Sequence, residues 1–90
     1  MKMTRAEKSL NDDLRKLLKE KRKALGLSQQ GVANAMNLLG KDMIEDHYAH
    51  AERGEIHFRG YDLLLYFHVL GISESDVKPI IQKYLDRYAV

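Results

Sequence analysis

Apolar residues recur at helical spacing along most of the chain, and glycines interrupt the pattern where helices would end. Leu10, Leu14, Leu17, Leu18 and Leu25 form one stripe, with Lys16, Lys19, Arg22 and Lys23 around it. This predicts a first helix over about 12–25, capped by Ser9 or Asn11 and stopped by Gly26. Ser28 is a good cap for a second helix whose buried face is Val32, Ala33, Met36 and Leu39. Gly31 weakens that helix by roughly 1 kcal/mol relative to alanine, and Gly40 ends it. A third helix is predicted over 42–52, with Asp42 and Glu45 as a capping box, Ile44, Tyr48 and Ala51 on the inner face, and Gly54 as its stop.

The fourth helix, about 61–70, contains Leu63, Leu64, Leu65, Tyr66, Phe67, Val69 and Leu70, and a helix apolar on most sides belongs at the centre of a core. Gly71 ends it. The fifth, capped by Ser73 or Ser75, runs to about 88, with Pro79 within or just after its first turn. Val77, Ile80, Ile81, Tyr84, Leu85 and Tyr88 form its stripe. The expectation is an all-α, compact five-helix bundle in one domain over 1–90.

Composition narrows the classes. At 44% hydrophobic and 31% charged, the chain suits a folded protein and is too apolar for disorder. The absence of cysteine excludes disulfides and thiolate metal sites, and makes a reducing compartment the expectation. No apolar run is long enough to span a bilayer, and "MKMTRAEKSLNDDL" does not resemble a signal peptide, so a cytoplasmic protein with no membrane partner is expected. Charge is unevenly spread. Residues 1–28 carry nine basic and four acidic side chains, residues 29–56 two and five, and residues 57–90 four of each.

Three pieces in order carry a family resemblance. "LRKLLKEKRKALGLSQQGVANAM", Leu14 to Met36, resembles the start of a Cro/Xre-type helix-turn-helix domain, with a basic first helix and an "LSQ" signature. "ERGE", Glu52 to Glu55, resembles the end of that family's recognition helix, and "YDLLLYFHVLGIS", Tyr61 to Ser73, its fourth helix. The resemblance covers 14–73 and leaves 74–90 as an additional amphipathic helix. It implies a lambda-repressor-like fold, with helix three in the major groove and the start of helix two against a phosphate. It also implies a dimeric, sequence-specific DNA-binding regulator, often a repressor. One departure stands out. Leu27 to Glu52 is twenty-five positions, longer than the family's usual spacing, so the turn between helices two and three is expected to be lengthened.

The resemblance, counted back from Glu52, puts Asp46, His47, Ala49 and His50 toward the bases. Carboxylates there accept only from cytosine N4, whereas histidines can donate. Ser28, Gln29, Gln30, Lys41, Arg53 and Arg59 are the expected phosphate contacts. Asp42 and Glu45 are explained as caps, and Glu52 as the family's usual glutamate, tied to a neighbouring basic group or to backbone. Val77, Ile81, Tyr84, Leu85 and Tyr88 could complete the core or form a homodimer interface. His47 and His50 have no evident third ligand, so neither a metal nor another cofactor is expected. No catalytic constellation is present, so an enzyme is not expected. The alternative is a protein–protein module, antitoxin-like or an adaptor, on the same scaffold, whose acidic third helix meets a basic partner.

Overall fold

Thr4 sets the start of the first helix by accepting a hydrogen bond from the Glu7 backbone N–H at 3.1 Å. The computed structural model describes residues 4–54 and 60–88. Its five helices are α1 (Arg5–Ala24), α2 (Gln29–Leu38), α3 (Glu45–Arg53), α4 (Gly60–Leu70) and α5 (Glu74–Tyr88). There is no strand among the described residues. None of the helices is long and apolar enough to cross a membrane.

Helix α1 begins well before the expected Asp12, and neither Ser9 nor Asn11 caps it. Its first turns are charged and carry no apolar period, so the stripe alone cannot mark its start. Leu18 is its fully buried residue, whereas Leu25 lies at the C-cap and is exposed.

Ser28 caps α2 as expected, its hydroxyl accepting from Gly31 N–H at 2.9 Å. Val32, Ala33 and Met36 are completely buried, but Leu39 is not and leaves the inner face. At the end of α2 the N–H of Lys41 bonds the Met36 carbonyl and that of Gly40 bonds the Asn37 carbonyl. This closure needs a left-handed residue, which Gly40 supplies at φ +89°.

The connection from Leu39 to Ile44 is long but tied down. The Asn37 side chain donates to the carbonyls of Ala33 (2.9 Å) and Met43 (2.6 Å) and accepts from Met43 N–H at 3.3 Å. Met43 is thereby drawn into the core, where the Tyr66 hydroxyl donates to its sulfur at 3.7 Å. Helix α3 starts only after this, so Asp42 is not its cap. Ile44 takes the N-cap position without a side-chain hydrogen bond and is 66% exposed, contrary to its expected inward place.

Tyr48 and Ala51 are buried from α3, and Gly54 ends it at φ +80°. Tyr48 meets Tyr66 of α4 edge to face, with centroids 5.4 Å apart, the arrangement that ring quadrupoles favour. These residues form the core with Leu18, Val32, Ala33, Met36, Met43 and Leu70. Helix α4 is apolar on most sides yet covered on only one, since it packs on α1 and α2 while Leu64 stays 69% exposed. Helix α5 packs chiefly on α1 and has no buried residue. Ser73 precedes it and donates from its N–H (2.9 Å) and hydroxyl (3.1 Å) to the Asp76 carboxylate, and ion pairs Lys21–Asp76 (3.0 Å) and Lys83–Asp13 (3.1 Å) span the two helices.

Candidate nucleic-acid interface

The end of α1, the start of α2 and the inner edge of α3 meet around one buried ion pair. Arg22 donates from Nε to Glu52 at 2.9 Å and from a terminal nitrogen at 2.8 Å, and bonds the Leu27 carbonyl at 3.0 Å with the other. The fork geometry matches a carboxylate with two parallel bonds. Gln29 adds a longer bond to Glu52 at 3.4 Å. Burial acts to raise the Glu52 pKa, but the Arg22 hydrogen bonds and charge outweigh it and hold the carboxyl below its ordinary value. Tyr48, with its hydroxyl beside Glu52, is pushed up by burial and by that carboxylate. The acidic residue at the end of α3 is therefore neutralised internally.

Over this pair lies an open groove of about 520 Å³. Lys19 and Lys23 line it from α1, Ser28 and Gln29 from the start of α2, and Glu45 and Arg53 from the two ends of α3. With Arg22 and Glu52 cancelling, three cations face one carboxylate. The start of α2 adds the partial positive charge of a helix N-terminus. Lys19 and Lys23 were not among the expected contacts, although their spacing of four already put them on one face.

The expected base-reading residues divide. Asp46 and His47 are exposed, and His50 is half-buried. These three line a shallow depression with Ile44. Ala49 is turned into the protein at 5% exposure, because the buried face of α3 is wide enough to take in Ala49 beside Tyr48, Ala51 and Glu52.

No protein-family model, no curated protein and no solved structure matches this chain.

The expected phosphate contacts also divide. Ser28 and Gln29 border the groove, the first with its hydroxyl accepting as a cap. Gln30 is exposed beside them and bonds Asn34 at 2.8 Å. Arg53 is exposed at the groove edge. Lys41 is directed elsewhere. Its ammonium lies 3.1 Å from the buried Asp62 carboxylate, an ion pair without the angle of a hydrogen bond, and 5.0 Å from the Tyr61 ring centroid. A buried carboxylate in α4 attracts it more strongly than solvent does. Arg59 lies outside the described residues. On α5, Val77, Tyr84 and Tyr88 are half-buried, whereas Ile81 and Leu85 are about half exposed.

Proposed function

We propose that the protein binds double-stranded DNA as a regulator of Cro/Xre helix-turn-helix type. The sequence likeness over 14–73 suggests the class, and one structural observation supports it most. The groove at the start of α2 holds Lys19, Lys23 and Arg53, with Glu52 withdrawn onto Arg22. Phosphate would sit there, gripped by α1 and by Arg53, the one lysine or arginine of α3. His47 and His50 would donate to base edges, with Asp46 accepting from cytosine. A second copy would pack through Ile81 and Leu85, flanked by Tyr84 and Tyr88; sedimentation showing a monomer at tens of micromolar rejects that dimer.

The test is duplex binding across a salt series, following a random-site selection. The three groove cations alone, each neutralising one phosphate, would contribute about −2.7 to the log–log slope per protomer, at about 0.9 for each. A protein that binds no duplex at low salt is not a DNA-binding regulator.

A second reading draws on the depression beside Ile44. An exposed apolar side chain next to Asp46 suits a basic protein partner with an apolar anchor. Asp46→Asn combined with His47→Ala and His50→Ala separates the two. Altered sequence preference favours DNA, while loss of a protein complex, with no DNA binding to lose, favours the partner.

A further inference from the structure

We propose that one face of α1, continued by Arg87 of α5, is a second phosphate track that carries the DNA backbone away from the reading helix. This rests on the DNA reading and extends its groove along α1, from Lys19 and Lys23 to residues that reading does not use. At about 100° per residue, Arg5, Lys8, Lys16, Lys19 and Lys23 fall within about 80° of arc on α1. All five are exposed. From first to last the stripe is about 27 Å long at 1.5 Å per residue, the axial length of about eight base-pair steps.

Three of the four acids of α1 lie off this face. Glu7 points to the opposite side, and Asp13 and Glu20 lie beyond the stripe's edge, with Asp13 paired to Lys83. Asp12 alone falls within it and is held by Lys8 at 3.6 Å and by Arg15. A face that serves only to solvate a helix mixes both signs. Here, apart from the paired Asp12, the signs are sorted.

Each end of the stripe opens into a basic cleft. Lys19 and Lys23 line the groove at the start of α2. At the other end, Arg5, Lys8 and Lys16 share a cleft of about 400 Å³ with Lys83 and Arg87, and its two carboxylates, Asp12 and Asp13, are paired to Lys8 and Lys83. Among the described residues no carboxylate lies within ion-pair distance of Arg5, Lys16 or Arg87. The occupant that fits is a stiff polyanion long enough to reach both clefts. Because the stripe runs into the groove, that polyanion is the duplex already seated there. The contacts are sequence-independent, so the footprint extends past the bases that α3 faces.

The experiment measures affinity for a random-sequence duplex of about three helical turns across a salt series. Three proteins are compared: the wild type, Arg5→Gln/Lys16→Gln/Arg87→Gln, and Lys19→Gln/Lys23→Gln/Arg53→Gln. The first variant removes no ion pair, so its circular dichroism and melting temperature should match the wild type. Its salt slope should fall by about 2 to 3, at about 0.9 for each phosphate no longer neutralised. A wild-type slope in that variant, with a reduced slope in the second, overturns the track and leaves the DNA reading standing. No binding by the wild type overturns both. Lysine acetylation of the wild-type complex gives a readout that does not depend on a folded variant. Lys8 and Lys16 should be protected severalfold by duplex, and unchanged reactivity at both sinks the proposal.

Discussion

Removing either half of the Arg22–Glu52 pair should destabilise the protein far more than removing both. The Arg22 side chain is 12% exposed and that of Glu52 4%, so either one left alone is a charge stranded inside the fold. Breaking a buried pair typically costs 3–5 kcal/mol, whereas replacing both partners with apolar groups is often neutral. Arg22 keeps its bond to Leu27, and the groove admits water, which places each single change near the lower limit. Arg22→Met and Glu52→Leu should therefore each cost about 3 kcal/mol, or roughly 12–24 °C in Tm for a domain of this size. The double variant should be more stable than either single one, giving a coupling energy above about 3 kcal/mol, and roughly 6 if the double change is neutral. Urea unfolding of the four proteins completes the cycle. Additive single effects, with coupling under about 0.5 kcal/mol, would show that the pair is not the tie between α1 and α3 that its geometry indicates.

The pair also sets a pH dependence. The folded Glu52 pKa is lowered from an ordinary value of 4.5, so its contribution is complete above that pH and is lost as pH falls through the folded value. Urea midpoints between pH 6 and pH 3 should fall more for the wild type than for the double variant; parallel declines contradict this. Gly54→Ala forces a side chain into φ +80° and sets its Cβ 2.5 Å from the Arg15 guanidinium, which can swing aside. The expected cost is about 1–2 kcal/mol, and an unchanged melting temperature refutes it. Asp62→Asn leaves Lys41 without its counter-charge at 21% side-chain exposure, and should cost about 2 kcal/mol in urea unfolding because the lysine can partly reach water. A loss under about 0.5 kcal/mol would mean that the ion pair does not secure the turn.

Local chemistry made much of the architecture legible. Ser28 as a cap, Gly54 as a stop, and Val32, Ala33 and Met36 as an inner face all follow from short-range rules, and the structure has them so. Glu52 was readable as a tied carboxylate, although its partner lay thirty positions away. What failed was the start of α3 and the width of its buried face. Asp42 and Glu45 have the spacing of a capping box, but burial of Met43 takes the chain past that point before α3 can start. Ile44 is left outside the helix and exposed, while the buried face of Tyr48, Ala51 and Glu52 takes in Ala49 as well. Thr4 and Glu7 carry the same spacing and do mark a helix start, though no apolar residue nearby draws attention to them. The groove was hidden for a different reason. Lys19, Lys23, Ser28 and Arg53 come together only through packing, and no spacing within one helix encodes it.

The Asn37 amide has a consequence for how this surface would meet a partner. Six residues between two helices would ordinarily act as a hinge. Here one side chain bonds both backbone groups of Met43 while also holding Ala33 of its own helix, so the insertion behaves as a strut. The angle between α2 and α3 is set before any encounter, and little ordering entropy remains to be lost there on binding. Whatever docks on α3 must adapt its own shape, so selection among partners would act through their deformability as much as through the side chains they present.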